Sequence, residues 1–250
     1  MALYLSDDDV RRLLPMEECI DVLDDLFRQE ARGLVTNLPR QRTRFPKSTA
    51  TLMGGSVLGS NAHGVRHANI SVLWDTETGN IDALIRPGVL ARIRTGAARG
   101  LAPKYKARED AAVVGCIGTG KQATTQLDAM CAVRPIKLVR VYSRTPEKRN
   151  EFAAEMRERL GVDVQPVESP DDCVRGVDIV VTITNAREPV FDGALLEPGV
   201  HINAAGANSW QRREVDQTTI ERADIIVVDN LEQAKMECGE LIAAAERGAF

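Results

Sequence analysis

One run of residues decides the fold of this chain: Val113-Val114-Gly115-Cys116-Ile117-Gly118-Thr119-Gly120-Lys121-Gln122-Ala123. Residues 113–117 are apolar or small, which predicts a buried strand. Leu127 and Met130 follow the glycines at helical spacing, so a helix opens where the run ends. The order strand, glycine-rich turn, helix is the context in which a G-x-G-x-x-G/A pattern predicts a dinucleotide-binding site.

Each small residue of this turn has a physical role in phosphate binding. Gly118 permits the tight turn, Gly120 lets the backbone approach a pyrophosphate, and Ala123 lets the helix pack closely on the strand. The free N–H groups at the helix start then hold the phosphates. We therefore expect a cofactor to bind at Gly118, Thr119, Gly120, Gln122 and Ala123. The alternative is a glycine-rich turn in a sheet that binds nothing.

Strands and helices alternate along the second half of the chain. Apolar segments predict strands at 113–117, 138–142, 162–164, 179–184, 200–204 and 225–228. The clearest intervening helix carries Phe152, Met156 and Leu160 at i, i+4 and i+8. Near-continuous apolar strands alternating with helices are typical of a parallel sheet that is covered on both faces. The sequence therefore predicts an α/β, doubly wound Rossmann domain over residues 106–250.

The first part of the chain has a different pattern, in which helical periodicity gives way to short β segments. The expected elements are a helix capped by Ser6, a helix between Pro15 and Gly33, strands at 70–74 and 82–85 around a turn at 75–80, and a helix at about 94–105. These elements predict a smaller α+β domain over residues 1–105.

Composition and charge argue against several classes of function. The net charge of −4 argues against nucleic acid or an anionic membrane as the main partner, and no apolar stretch reaches the roughly 18 residues that a membrane helix requires. Acidic residues near the start of the chain argue against a signal peptide, so we expect a cytoplasmic protein. Five scattered cysteines fit free thiols in a reducing cytoplasm, and three histidines without ligand spacing predict no metal site.

The end of the second predicted Rossmann strand bears on the choice of cofactor. NAD sites usually present a carboxylate there to bind the ribose 2′-hydroxyl, whereas this chain has Tyr142 followed by Ser143, Arg144 and Thr145. A 2′-phosphate can bond Ser143 and Thr145 and pair with Arg144. These residues favour NADP(H), with NAD(H) possible. The alternative is an exposed arginine on a solvated loop.

Five motifs together resemble the ornithine cyclodeaminase/μ-crystallin family. They are Arg94-Thr95-Gly96-Ala97-Ala98, Ile117-Gly118-Thr119-Gly120-Lys121-Gln122-Ala123, Thr182-Ile183-Thr184-Asn185, Pro198-Gly199-Val200-His201-Ile202-Asn203 and Glu237-Cys238-Gly239-Glu240. The likeness covers nearly the whole chain. The family includes cyclodeaminases, amino-acid dehydrogenases, imine reductases and crystallin-like binding proteins. The resemblance implies a homodimer with a substrate-binding and dimerisation domain beside the Rossmann domain.

The resemblance also implies roles for residues outside the phosphate turn. Arg94 matches an arginine that clamps the substrate carboxylate, a task that suits a planar guanidinium, and Arg40 matches a second substrate-binding arginine. Thr95 and Thr184 match cofactor-binding positions, and Asn208 stands at the catalytic position. The alternatives are an exposed residue at a helix start for Arg94 and a solvated strand for Arg40.

Three features depart from the family pattern. The cyclodeaminase branch has a catalytic aspartate where this chain has Asn208, and a neutral amide cannot take a proton as a carboxylate does. The family's glycine-x-lysine segment falls between Met53 and Ile70, where the chain is shortened and Arg66 is the basic candidate. The chain stops at Phe250, whereas relatives run on, so we expect its first domain not to close properly.

These observations predict an NAD(P)H-dependent oxidoreductase that acts on a small α-imino or α-keto acid or on the corresponding amino acid. Arg94, with Arg40, would hold the substrate carboxylate, and the Asn208 amide oxygen would accept a hydrogen bond from a protonated imine. Two alternatives stay open. One is an ornithine cyclodeaminase-type lyase that uses NAD catalytically, and the other is a non-catalytic, crystallin-like NADP-binding protein.

Overall fold

The chain divides into two compact units, Met1–Arg94 and Thr95–Phe250. The structure is a computed structural model and describes residues 2–249. The boundary between the units falls inside a helix, Pro87–Lys106. The expected division of roles between residues 1–105 and 106–250 stays a prediction.

The first unit is a mixed sheet of six strands with helices. In chain order its elements are β1 (Leu3–Leu5), α1 (Asp7–Leu13), α2 (Met16–Ala31), β2 (Val35–Phe45), β3 (Ser48–Val57), a 3₁₀ turn (Leu58–Ser60), β4 (Ala62–His67), β5 (Ile70–Asp75), β6 (Ile81–Ile85) and α3 (Pro87–Lys106), which continues into the second unit. The strand order is β1-β6-β5-β4-β3-β2. Only the β1–β6 pair in this order is parallel. The predicted strands at 70–74 and 82–85 correspond to β5 and β6.

Capping explains where the first helices begin. The Ser6 hydroxyl accepts a hydrogen bond from the Asp9 N–H, and the Asp9 carboxylate accepts one from the Ser6 N–H, which forms a capping box for α1. The Ser6 hydroxyl also donates a hydrogen bond of 2.7 Å to the Asp9 carboxylate, and this bond, followed by the one from the Ser6 N–H, lowers the pKa of Asp9. The Asp7 carboxylate accepts a hydrogen bond of 2.8 Å from the Val89 N–H in the first turn of α3. Val89 packs with Val10 in a small apolar cluster.

The second unit is a doubly wound parallel sheet, as the sequence predicted. Its elements are β7 (Val113–Ile117), α4 (Lys121–Val133), β8 (Leu138–Tyr142), α5 (Pro146–Leu160), β9 (Asp163–Pro166), α6 (Pro170–Val174), β10 (Ile179–Thr182), a 3₁₀ turn (Gly193–Leu195), β11 (His201–Ala204), α7 (Gln217–Glu221), α8 (Leu231–Glu237) and α9 (Gly239–Glu246). The strand order is β11-β10-β7-β8-β9, with every neighbouring pair parallel. The carboxyl ends of all five strands therefore meet at one edge.

Buried apolar strands account for this sheet. Val114, Val139, Val164 and Val180 in four different strands are fully buried. The central strands β7 and β10 are buried along almost their whole length, which is why they are apolar on both faces. At the opposite edge, the Asp178 carboxylate accepts hydrogen bonds from the backbone N–H groups of residues 112 and 113. Asp178 thus ties the start of β10 to the start of β7, the two strands on either side of the change in strand order.

One predicted strand is wrong. Residues 225–228 form no strand in the described chain, and the side chains of Ile225, Ile226 and Val227 are 62%, 42% and 59% exposed. The apolar run has the composition of a buried strand, but a strand also needs a neighbouring backbone and a covering layer. Local composition carries no information about either.

Other boundaries also differ from the prediction. The strand expected at 162–164 is Asp163–Pro166, and the one expected at 179–184 ends at Thr182. The helix expected at about 94–105 begins at Pro87, because proline is well suited to the first helical position.

Candidate functional site

The phosphate turn lies where three strands of the second unit end. Gly118 has a φ of 115°, and its N–H donates a hydrogen bond of 2.9 Å to the carbonyl of Tyr142, the last residue of β8. A Cβ on Gly118 would lie 2.4 Å from the carbonyl oxygen of Ile183, which follows β10. Both the positive φ and the close approach require glycine here. The turn after β7 is therefore packed between the ends of β8 and β10.

The start of α4 is open and has the features of a phosphate site. Gly120 is its N-cap residue, and no side chain of the described residues caps the helix there. A Cβ on Gly120 would meet no described atom within 4 Å. Helix-start N–H groups without a side-chain partner bind anions, and the helix dipole adds to the attraction. These features fit the pyrophosphate of a dinucleotide.

The remaining turn residues hold α4 in place. Ala123 is fully buried, as expected for a small residue at the helix–strand contact, and its N–H bonds the Gly120 carbonyl at 2.9 Å. Thr119 and Gln122 are half-buried beside it. The structure thus brings all five residues of the predicted phosphate turn together.

The loop after β8 lies next to this turn and contains Ser143, Arg144 and Thr145. Arg144 and Thr145 are exposed, and the Ser143 hydroxyl donates a hydrogen bond of 3.3 Å to the Thr145 carbonyl. Thr145 is the N-cap residue of α5, and its side chain makes no capping hydrogen bond. The loop therefore has an exposed guanidinium and a helix start without a side-chain cap.

A buried arginine underlies this loop. Arg149 is 3% exposed, and its guanidinium carbon lies 5.7 Å from the centre of the Tyr142 ring. Its Nη2 donates a hydrogen bond of 2.7 Å to the Glu168 carboxylate. Arg149 therefore forms an ion pair with Glu168 beneath the end of β8.

The loops after β10 and β11 hold the other predicted residues. The Thr184 N–H donates a hydrogen bond of 2.5 Å to Glu214. Asn208 is exposed, and its amide oxygen lies 3.5 Å from Arg212 Nη1, which is also 3.4 Å from the Asn185 amide oxygen. Arg212 and Glu214 were not predicted as site residues, because a charged run after a strand also fits a solvated loop.

The helix that carries Arg94 and Thr95 is fixed by contacts of its following turns. A Cβ on Gly96 would lie 2.3 Å from the carbonyl oxygen of Thr125, so α3 and α4 pack in direct backbone contact. The Asn203 amide of β11 donates a hydrogen bond of 3.0 Å to the carbonyl of Arg99. Thr95 therefore belongs to a helix that is braced against both α4 and β11.

Arg94 is not an exposed residue at a helix start. It is half-buried and stands in the interior of α3, which begins at Pro87. Burial raises the pKa of the Cys19 thiol in α2 to about 11, and the charge of Arg94 acts in the opposite direction. Arg94 is therefore close enough to Cys19 for its charge to act on that thiol, and its role as a carboxylate clamp stays a prediction.

Arg40 differs from its basic neighbours in β2. The pairing of β2 with β3 is interrupted between Leu38 and Gln41, and Arg40 is half-buried at this irregularity, whereas Arg42 and Arg44 are exposed. An irregularity of this kind can change which face of the sheet a side chain points to. The role of Arg40 in substrate binding stays a prediction.

The segment expected to hold the family's glycine-x-lysine is part of a hairpin. Met53 in β3 pairs with Arg66 in β4, and the 3₁₀ turn Leu58–Ser60 connects the strands. Arg66 is half-buried. The hairpin is a regular antiparallel pair, so the segment is folded although it is short.

Burial is the main influence on the pKa values of the cysteine thiols and of His201. All five cysteines are free, and burial raises the pKa of Cys131 and Cys238 to about 11 and of Cys173 to about 12. Burial is also the main cause that lowers the pKa of His201. Residues 2–249 contain no group of three metal-ligating side chains, and none of their helices is long and apolar enough to cross a membrane.

The fold and the phosphate turn define a Rossmann-type dinucleotide-binding protein. The model of the ornithine cyclodeaminase/mu-crystallin family matches residues 2–247. The chain is a member of this family, which confirms the resemblance seen in the sequence motifs.

Similar proteins define the class of reaction further. A Δ(1)-pyrroline-2-carboxylate reductase of Bacillus cereus is 33% identical over 265 aligned positions, which cover 99% of this chain and 81% of the relative. Because this alignment is longer than the chain, the relative has residues inside it that this chain lacks.

Two solved structures agree with the sequence comparison. The Δ(1)-pyrroline-2-carboxylate reductase of Thermococcus litoralis, in complex with NADH and L-proline, is 32% identical with a TM-score of 0.93, covering 99% of this chain and 82% of that one. An archaeal alanine dehydrogenase dimer with bound NAD is 31% identical with a TM-score of 0.89. The match covers 100% of this chain and 80% of that one. The predicted oxidoreductase class and nicotinamide cofactor are thereby confirmed.

Replacing Gly120 by alanine tests the phosphate turn without disturbing the fold. We expect Gly120→Ala to melt at the wild-type temperature or slightly above it, because the new methyl group meets no described atom and Gly120 has a φ of −83°. We expect NAD(P)H affinity to fall by about tenfold, since the methyl occupies the approach of the pyrophosphate. Fluorescence titration and thermal melts measure the two effects. Wild-type affinity in the variant would contradict the assignment.

Proposed function

We propose that this chain reduces a small α-imino acid, or interconverts an α-keto acid and its amino acid, with NAD(P)H as the hydride source. The observation that carries the proposal is the open start of α4 at Gly120, in a chain that is 33% identical to an imine-type reductase. When bound, the nicotinamide would supply or accept the hydride. The chain's own residues would bind and orient both molecules.

Arg94 is the proposed clamp for the substrate carboxylate. Its guanidinium is permanently charged, and its planar fork can hold both carboxylate oxygens at once. It is half-buried in the interior of α3, so its side chain is partly fixed by its surroundings. Holding the substrate in a fixed orientation can lower the activation free energy of the reaction. In well-oriented intramolecular reactions the reduction is about 7 kcal/mol or more. Arg40 is proposed as a second contact to the same carboxylate.

Asn208 is the proposed contact to the substrate nitrogen. Its amide oxygen can accept a hydrogen bond from a protonated imine but cannot take up the proton. Arg212 Nη1 lies 3.5 Å from this oxygen, which has two lone pairs and can accept a hydrogen bond from each donor. A neutral amide beside a guanidinium is a poor general base, which disfavours the cyclodeaminase alternative.

Paired measurement of absorbance and ammonia separates the three candidate functions. We expect NADPH absorbance to fall in step with consumption of Δ(1)-pyrroline-2-carboxylate or of another cyclic or linear α-imino acid in a panel. A cyclodeaminase would release ammonia from ornithine with no net absorbance change. A non-catalytic binding protein would do neither, although it would still quench NADPH fluorescence. Either of these two outcomes would contradict the proposal.

The clamp assignment predicts a selective loss of turnover in Arg94→Lys. Lysine keeps the charge and loses the fork, so we expect kcat/KM to fall by about a hundredfold while cofactor affinity stays within a factor of two. Steady-state kinetics and cofactor titration measure the two quantities. Arg42→Lys, an exposed arginine of the same unit, is the matched control. Unchanged kcat/KM in Arg94→Lys would rule out the clamp.

The cofactor preference is proposed to be for NADPH over NADH. It is supported by the exposed Arg144, by the uncapped start of α5 at Thr145 and by the buried Arg149 beneath the loop. No carboxylate follows directly after β8 to bind a free 2′-hydroxyl. Binding of NADH and NAD by the solved relatives makes dual use the competing outcome.

Ser143→Asp tests this preference. A charge-assisted hydrogen bond contributes roughly 1.5–3 kcal/mol, so we expect wild type to bind NADPH about tenfold to a hundredfold more tightly than NADH. Ser143→Asp is expected to reverse the order, because the new carboxylate repels the 2′-phosphate and bonds the free hydroxyl. Titration of both cofactors into both proteins is sufficient. A wild-type preference for NADH would show that Arg144 does not contact the cofactor.

We also propose a homodimer that forms through the sheet of the first unit. Tyr4, Leu38, Leu52 and Ile70 share one face of this sheet by register and are exposed. An exposed apolar sheet face is typical of an interface, and the similar archaeal enzyme is a dimer. Sedimentation velocity measures the state directly. A wild-type monomer at micromolar concentration would contradict the proposal.

A cytoplasmic location is proposed from the five free cysteines, which fit a reducing compartment. Cell fractionation tests it, and recovery of the protein outside the cytoplasmic fraction would contradict it.

A further inference from the structure

A fully buried carboxylate lies behind the loops that carry Thr184 and Asn208. Glu214 is 0% exposed and follows β11 in the loop that leads to α7. Its Oε1 accepts a hydrogen bond of 2.5 Å from the Thr184 N–H. Its Oε2 accepts hydrogen bonds of 2.5 Å from the Gly206 N–H and 3.0 Å from the Thr182 hydroxyl. These three donors satisfy both oxygens of the buried carboxyl group.

The two backbone donors belong to different loops. Thr184 follows β10, whereas Gly206 follows β11 and stands two residues before Asn208. A Cβ on Gly206 would lie 2.4 Å from the Thr184 carbonyl oxygen and 2.6 Å from Glu214 Cδ. The two loops are therefore packed against each other around the carboxylate, and Glu214 is the group that joins them.

Glu214 is itself held from the other side. Its N–H donates a hydrogen bond of 2.8 Å to Glu240, which is 5% exposed at the start of α9, and its carbonyl accepts one from the Val190 N–H. This contact gives a structural role to the late motif Glu237-Cys238-Gly239-Glu240. Glu240 fixes the backbone of residue 214, and residue 214 in turn fixes the two loops.

The position of these loops relates Glu214 to one half of the cofactor. The adenosine end of a dinucleotide lies over the strand after the glycine turn, here β8, and the pyrophosphate lies at the turn after β7. The opposite half of the sheet is formed by β10 and β11, which is where the nicotinamide end extends. Thr184 and Asn208 emerge from these two strands.

We propose that Glu214 is a positioning residue for the nicotinamide end of the site. It sets the spacing between the Thr184 loop and the Asn208 loop without touching cofactor or substrate. The inference rests on the proposed function, because it assumes that a nicotinamide dinucleotide binds along this edge. It predicts that loss of the carboxylate weakens binding of the nicotinamide half of the cofactor and leaves binding of the adenosine half unchanged.

Glu214→Gln is the direct test. The amide keeps the size of the side chain but replaces one acceptor oxygen by an NH₂ donor, so at least one of the three donors loses its partner. We expect NADPH affinity to fall by about tenfold, with altered fluorescence emission of the bound nicotinamide, while affinity for ADP-ribose lacking the nicotinamide stays within about twofold. Isothermal titration and emission spectra measure these quantities. Glu221→Gln, on the exposed side of α7, is the matched control.

Thr182→Val keeps the test decisive if Glu214→Gln does not fold. It removes the buried hydroxyl bond and retains both backbone bonds to the carboxylate, so we expect the same selectivity with about a threefold loss of NADPH affinity. Equal losses for NADPH and ADP-ribose in a folded variant, or no loss for either, would overturn the inference. Wild-type protein that binds neither molecule would instead refute the proposed function.

Discussion

Close approach of backbones at the carboxyl edge of the five-stranded sheet is the constraint on which the site depends. Parallel strands end side by side, so the turn after β7 must pass between the residues that follow β8 and β10. Gly118 meets this constraint because a side chain there would overlap the Ile183 carbonyl. The same close packing brings α3 against α4 at Gly96. Backbone atoms, rather than side chains, therefore make the closest contacts at this edge.

Two buried charged side chains, Glu214 and Arg149, support the loops at this edge of the sheet. Glu214 collects N–H groups from two loops, and Arg149 lies under the third loop on the ring of Tyr142. Each buried charge has hydrogen-bond partners, because an unpaired charge inside a protein is strongly unfavourable. The two charges have opposite sign and stand beneath opposite ends of the edge. Arg149, paired with Glu168, lies beneath the loop after β8, and Glu214 joins the loops after β10 and β11.

The neighbourhood of Asn208 connects this arrangement with the proposed reaction. A carboxylate at this position would pair with Arg212 and could exchange a proton with substrate. The amide cannot, so its contribution is limited to hydrogen bonding and orientation. This chemistry fits the proposed reduction, in which the hydride would come from the cofactor.

The sequence by itself determined the second unit and its phosphate turn, because both depend on local signals. A buried parallel strand must be apolar throughout, and the turn needs small residues at fixed spacing. The structure of residues 113–123 could therefore be predicted without knowing which segments they contact. The same composition at residues 225–228 led to a wrong strand, since pairing depends on a neighbour that the segment itself does not encode. The positions of Arg212 and Glu214 in the site could not be predicted from the sequence for a related reason. Charged residues after a strand look solvated until the tertiary structure shows that one of them lies buried among backbone N–H groups from two distant loops.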